Sequence, residues 1–277
     1  MSNNSDNTFS GSLLVAMRDD MSTRIAVAGK GGVGKTTLSA ALARSMSLSE
    51  DKVLAVDADP NNCLGRALGF PDELLASLTP ISEMKEMLAE RAGQDQGGSF
   101  FSLDPPVEDL LSDYKVEHGG LSLLVMGTID EPGAGCVCPE STVLKALMRH
   151  LVDLPDTSVI VDMEAGLEHL GRGTAQHVGA LLIVAEPSIA SARTAARIAR
   201  LATGLGLRVP GVVVNKVSSP EVVERLRPHL GALDVIARLP ADPAVAASEA
   251  LPTSGPYLEA VEALRQELAK RLPAKER

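Results

Sequence analysis

Short apolar runs recur along the chain, and most are followed by a polar or glycine-rich turn and then a segment of helical periodicity. The runs are 22–28, centred on Arg24-Ile25-Ala26-Val27-Ala28, then 53–56, 121–126, 158–162, 179–185 and 211–214. Unbroken apolar runs of this length suit strands buried on both faces. Between them, 38–46, 79–88 (with Ser82 near its start), 140–151 and the stretch after Ser188 read as helices. In 140–151, Val143, Leu144, Leu147 and Leu151 share a face; in 257–272, Leu258, Val261, Leu264, Leu268 and Leu272 recur at helical spacing. Strands alternating with helices predict an α/β fold with a mostly parallel sheet flanked by helices on both faces. Residues 1–20 are rich in Ser and Asn and lack periodicity, so they read as a flexible tail before a domain over 21–277. Residues 92–104 read as a polar loop and 105–120 as irregular.

Composition narrows the function classes. The chain has 277 residues, 45% of them apolar, enough for a large core. No apolar run reaches the ~18 residues a membrane helix needs, and no basic-then-apolar leader opens the chain. A net charge of −10 argues against a nucleic-acid binder, and the absence of Trp with only four Phe and two Tyr argues against base-stacking platforms. The three cysteines, Cys63, Cys136 and Cys138, are too few for a disulfide framework, which points to a reduced, cytoplasmic setting.

The chemistry concentrates after the apolar runs. The first leads into Gly29-Lys30-Gly31-Gly32-Val33-Gly34-Lys35-Thr36-Thr37 and then a helix. Strand, glycine loop and helix form a phosphate-binding loop for ATP or ADP: glycines turn backbone N–H groups toward an anion, Lys35 reaches the β- and γ-phosphates, and Thr36 offers its hydroxyl to Mg²⁺. The second run ends in Asp57-Ala58-Asp59-Pro60. In an extended segment Asp57 and Asp59 share a face, at the strand end where α/β sheets bind ligands. The 158–162 run ends in Asp162, with Gly166 four residues on; Asp162 would hold Mg²⁺ through water and the Gly166 N–H would sense the γ-phosphate. Cys136-Val137-Cys138 places two soft thiolates on one side of an extended segment. A closed tetrahedral site needs four ligands, so one chain supplies half, and two chains across a two-fold axis would supply all.

Lys30-Gly31-Gly32-Val33-Gly34-Lys35-Thr36-Thr37 resembles the motif of the deviant Walker A ATPases, the family of MinD, ParA, the nitrogenase iron protein and the arsenical-pump ATPases. The resemblance implies a P-loop fold of the MinD type and a homodimer in which Lys30 of one subunit contacts the nucleotide held by the other. It makes Asp59 the residue that orients the attacking water and gives Asp57 a supporting role near Mg²⁺. Asn215 would recognise adenine, with Pro240 in a late loop, 238–245, lining its pocket. Further segments narrow the likeness to the CooC-type ATPases that mature nickel carbon monoxide dehydrogenase: Cys63-Leu64-Gly65 after Asp59-Pro60, Thr79-Pro80 before Glu83-Met84-Lys85, and Gly166-Leu167-Glu168-His169-Leu170-Gly171-Arg172-Gly173-Thr174-Ala175. That likeness implies ATP hydrolysis and dimerisation, promoted by nucleotide and metal, coupled to nickel insertion into carbon monoxide dehydrogenase as client. Ni²⁺ or Zn²⁺ would sit on Cys136 and Cys138 between subunits, with neither nucleic acid nor membrane as partner.

Alternatives stay open on the residues alone. The same cysteines would suit a 4Fe–4S cluster in a reductase like the nitrogenase iron protein, and a ParA/MinD-type positioning ATPase would need no thiols. Cys63 reads as a small buried hydrophobe or as a ligand, and His169 as structural or as a ligand. Glu164 stands where the CooC segment has glycine. Arg193, Arg197 and Arg200 form a solvated face or a DNA-contacting stripe. The last helix packs on the sheet or lies on a membrane, and its mixed-charge polar face favours packing.

Overall fold

The computed structural model describes residues 22–49, 52–93, 102–127, 139–163 and 178–272. The strands are β1 (Arg24–Gly29), β2 (Val53–Ala58), β3 (Val116–His118), β4 (Leu121–Val125), β5 (Ser158–Met163), β6 (Ala180–Ala185), β7 (Val212–Val217) and β8 (Val235–Pro240). The helices are α1 (Lys35–Ser47), α2 (Leu64–Leu68), α3 (Asp72–Ala76), α4 (Lys85–Arg91), α5 (Leu110–Tyr114), α6 (Pro139–Val152), α7 (Ile189–Gly204), α8 (Pro220–Leu226), α9 (Pro243–Ala246) and α10 (Pro256–Arg271). The strands form one eight-stranded sheet in the order β3-β4-β2-β5-β1-β6-β7-β8. Every neighbouring pair is parallel except β3 and β4. The expected mostly parallel α/β sheet is therefore present.

Alternation along each strand divides the core into two layers. In β1, Ile25 and Val27 face one layer with Leu38 and Leu42 of α1 and Val261, Leu264 and Leu268 of α10. Ala26 and Ala28 face the other, with Leu144 and Leu147 of α6 and Ala192 and Ala195 of α7. A strand covered on both faces has no polar side to show, which is why these segments read as unbroken apolar runs. The terminal helix does pack onto the sheet, burying Tyr257, Val261, Leu264 and Leu268 to 2% exposure or less. Among the described residues no helix is long and apolar enough to cross a membrane.

The structure departs from the sequence reading at the edges. Residues 116–118, read as irregular, form β3, which turns back onto β4 through Gly119 and Gly120, at φ 58° and 81°. Both positions of this two-residue turn are left-handed, which glycine adopts without a Cβ clash. Residues 238–240, read as part of a loop, are the end of β8, a half-exposed edge strand whose apolar run, Val235-Ile236-Ala237, is broken by the exposed Arg238. The helix expected around Ser82 is broken: a 3₁₀ turn over Ile81–Glu83 ends at Met84, whose ψ of 62° is not helical, and α4 starts at Lys85. The Ser82 amide donates to the Met126 carbonyl at 3.0 Å, which ties this turn to the end of β4 instead.

Candidate nucleotide site

The phosphate loop runs from the end of β1 to the first residues of α1. Gly29 packs so closely on β6 that an added Cβ would lie 2.4 Å from the Val184 carbonyl oxygen. Gly34 sits at φ 93° before α1, and a Cβ there would come within 2.3 Å of Asn215 Nδ2. Val33 is fully buried and anchors the loop, Lys30, Gly31 and Gly32 are exposed at its rim, and Thr37 is half-buried on α1. Lys35, the first residue of α1, is only 7% exposed. No side chain caps α1 and its first turn carries no acidic residue. Thirteen residues of helix thus present unsatisfied N–H groups and the positive end of their dipole to whatever sits over the loop. This end is built for an anion.

Two carboxylates stand beside it at the ends of adjacent strands. Asp57 of β2 and Asp162 of β5 are paired in register and have no solvent exposure. Asp162 Oδ1 accepts a hydrogen bond from Ser39 Oγ at 3.0 Å, and the Thr36 side chain lies beside this carboxylate. Its Oδ2 is buried with no hydrogen-bond partner among the described residues. Burial pushes the Asp162 carboxyl up to about 6 even though Thr36, Ser39 and Lys35 pull it down. Burial likewise pushes Asp57 up to about 7, and the neighbouring Asp162 charge adds to the shift. An unmatched buried carboxylate oxygen next to a threonine hydroxyl fits a hard divalent cation such as Mg²⁺. Asp57 plays a different part. Its Oδ2 accepts from the Leu64 amide at 2.9 Å and its Oδ1 from the Asp59 amide at 3.2 Å. Both of its oxygens hold the loop 59–64, leaving Asp162 as the carboxylate with an oxygen to give.

Asp59 lies half-buried on that loop, its Oδ1 accepting from the Asn61 backbone amide at 2.9 Å and the Asn61 side chain at 2.8 Å. Cys63 is exposed, which corrects its reading as a small buried hydrophobe; Leu64 turns inward instead and is fully buried. Burial and the charges of Asp57 and Asp59 push its thiol above the usual range, so it is not primed as a thiolate.

Across the loop, Asn215 is 3% exposed near the end of β7. Its Nδ2 donates to the Val33 carbonyl at 2.9 Å and its Oδ1 accepts from the Lys216 amide at 2.9 Å. Pro240, at the end of β8, is the register partner of Val217. The strand ends therefore bring Gly29, Asp57, Asp162, Asn215 and Pro240 to one side of the sheet, where ligands of open parallel sheets bind. Ser39, Lys216 and Glu186 also belong to this region and were not singled out for it from the sequence. Ser39 has a local signal, one helical turn after Thr36. Lys216 and Glu186 have none, because their partners are distant in sequence. Gly166, Glu164, His169, Cys136 and Cys138 lie outside the described residues. Among the described residues no group of three or more His, Cys, Asp or Glu is placed to hold a metal.

Residues 25–252 match the family model of the CobQ/CobB/MinD/ParA nucleotide binding domain. The chain belongs to this family. Among curated relatives, the carbon monoxide dehydrogenase accessory protein CooC of Rhodospirillum rubrum is 42% identical over 227 residues, covering 82% of this chain and 86% of that protein. An uncharacterized ATP-binding protein of Methanocaldococcus jannaschii is also 42% identical, over 82% of this chain and 89% of its own length. The MinD cell division protein of Aquifex aeolicus superposes with a TM-score of 0.63 at 22% identity, covering 90% of this chain and 98% of that one. The likeness to MinD at this identity speaks for the fold, and the MinD/ParA family fold expected from the loop motif is the one present.

Proposed function

We propose that the ATPase cycle of this chain drives a metallochaperone: ATP binding closes a homodimer, hydrolysis opens it, and the cycle delivers nickel to carbon monoxide dehydrogenase. The observation that carries this reading is the 42% identity to a carbon monoxide dehydrogenase accessory protein across most of both chains. In this reading the glycine loop, Gly29 through Gly34 with Thr37, holds the phosphates by backbone N–H groups. Lys35 neutralises charge on the β- and γ-phosphates. Thr36 and Asp162 would hold Mg²⁺, which supplies further charge neutralisation. Asp57 shapes the loop on which Asp59 orients the attacking water. Lys30, exposed at the rim, reaches the nucleotide of the partner subunit, and Gly166 senses the γ-phosphate. Positioning and charge compensation of this kind are most of what phosphoryl transfer requires of a protein. Asn215 and Pro240 would border the adenine. Cys136 and Cys138 from each subunit would form a four-thiolate site for Ni²⁺ or Zn²⁺, so that nucleotide state sets when metal is held and released.

The test is metal titration of the full chain with and without ATP while oligomeric state is followed by light scattering. Binding of one Ni²⁺ or Zn²⁺ per dimer, lost in Cys136→Ser and in Cys138→Ser, is the expected result. A chain that stays monomeric with metal and ATP, or that binds metal equally without these cysteines, overturns the shared site. A brown, reducible cluster after anaerobic purification would instead assign the cysteines to electron transfer.

A further inference from the structure

The sequence of the phosphate loop does not explain what holds its carbonyls. Each trans peptide is planar, so its C=O and the following N–H point in opposite directions. A loop that aims N–H groups at phosphate must aim the matching carbonyls away, and these need partners of their own. Asn215 Nδ2 takes the Val33 carbonyl at 2.9 Å, which fixes the peptide whose N–H belongs to Gly34. Lys216 Nζ takes the Gly32 carbonyl at 2.6 Å, which fixes the peptide whose N–H belongs to Val33. That Val33 N–H makes only a long 3.4 Å contact with the Lys30 carbonyl.

The backbone of β7 is bent to allow this. Its register with β8 slips between Val214 and Val217, and Lys216 sits at φ 57°, a left-handed conformation uncommon for a residue with a Cβ. The Lys216 amide bonds Asn215 Oδ1 and sets which way the carboxamide faces. Glu186 Oε2 lies 3.8 Å from Lys216 Nζ, and the Glu186 amide donates to Ser191 Oγ at 3.0 Å on α7. Gly34 leaves no space between the loop and Asn215 for even one carbon.

We propose that Asn215 and Lys216 are positioning residues of the phosphate loop, holding the Val33 and Gly32 carbonyls so that the opposed N–H groups face the nucleotide's phosphates. This rests on the nucleotide reading of the loop and gives Asn215 a task that does not depend on the base. The experiment measures affinities of the full chain for Mg²⁺-ATP, Mg²⁺-ITP and Mg²⁺-tripolyphosphate by competition with a fluorescent nucleotide. The proteins are the wild type, Asn215→Ala, Lys216→Met and Lys216→Arg, with ligand-free melting temperatures measured alongside. Lys216→Met is expected to weaken all three ligands alike, by about tenfold, the scale of one strong hydrogen bond, with Lys216→Arg recovering most of the loss; Asn215→Ala is expected to weaken tripolyphosphate by a similar factor and ATP by at least as much. Loss confined to ATP, with ITP and tripolyphosphate unaffected, overturns the proposal and assigns Asn215 to the base alone. A lowered melting temperature with unchanged affinities also overturns it. A wild-type chain that binds none of the three overturns the nucleotide reading itself.

Discussion

At the scale of single residues, the buried carboxylates decide how the site responds to pH and cation. Asp162, raised to about 6, and Asp57, raised to about 7, bind more protons when folded than when unfolded. Where the folded state holds the extra proton, stability falls as pH rises. Without ligand, these two groups therefore favour the fold at about pH 4, and that contribution is lost as pH rises through the window from about 4 to about 7. Mg²⁺ held by Asp162 would need that carboxyl ionised, so its affinity with nucleotide is expected to rise from pH 5.5 to 7.5 with proton release, measurable by calorimetry in buffers of different ionisation enthalpy. Asp162→Asn keeps an acceptor for Ser39 and removes the unmatched charge. It is expected to stabilise the ligand-free protein at pH 8, by up to about 3 kcal/mol for a shift of roughly two units, and to have little effect at pH 4. The same variant is expected to lose Mg²⁺-dependent hydrolysis. Equal melting temperatures of variant and wild type at pH 8 would contradict this account.

At the scale of elements, α10 and α1 form one packed unit behind the phosphate loop. Leu264 is 1% exposed, and on the same seam Glu262 accepts from Ser45 of α1 at 2.6 Å and pairs with Arg265 at 2.7 Å. Arg44, in the last turn of α1, donates to the carbonyls of Leu251 and Pro252 and ties down the chain after α9. Leu264→Ala is expected to cost about 2–4 kcal/mol by opening a cavity in this seam, read as a shifted denaturation midpoint. Vesicle flotation of the wild type is expected to show no lipid binding, because the apolar face is already covered. Flotation of the wild type with vesicles would contradict the packing role. On α7, Arg193, Arg197 and Arg200 are exposed, as their spacing suggested.

At the scale of the whole molecule, hydrolysis would depend on a second copy. Lys30 is exposed at the rim of the loop. If it serves the partner's nucleotide, Lys30→Ala is expected to bind ATP within a few-fold of wild type while hydrolysing it about 10³-fold more slowly, the lower end of what a cationic finger supplied in trans contributes. Lys35→Ala is expected to lose nucleotide binding. Mixing the two variants should restore part of the activity, because one composite site then pairs an intact Lys35 with an intact Lys30. Failure of the mixture, with each protein folded and able to dimerise, would place Lys30 in its own subunit's site.

Much of this was legible in the chain because it is local. Gly29 through Thr37 follows an apolar run and precedes a helix, so backbone freedom, helix dipole and lysine reach are all encoded within a few residues. The central strands announced themselves because burial on both faces leaves no polar position, and the aspartates at their ends follow from parallel topology. The edges did not: β3 depends on the Gly119-Gly120 turn, and in β8 the exposed Arg238 interrupts the apolar positions. Tertiary structure alone decided the rest. It set Asp57 against Asp162, gave both oxygens of Asp57 to the loop 59–64, turned Cys63 outward, and brought Asn215 and Lys216 to carbonyls more than 180 residues away. Contacts of that range leave no spacing in the sequence, because the sheet order that creates them is fixed only when every strand has found its neighbour.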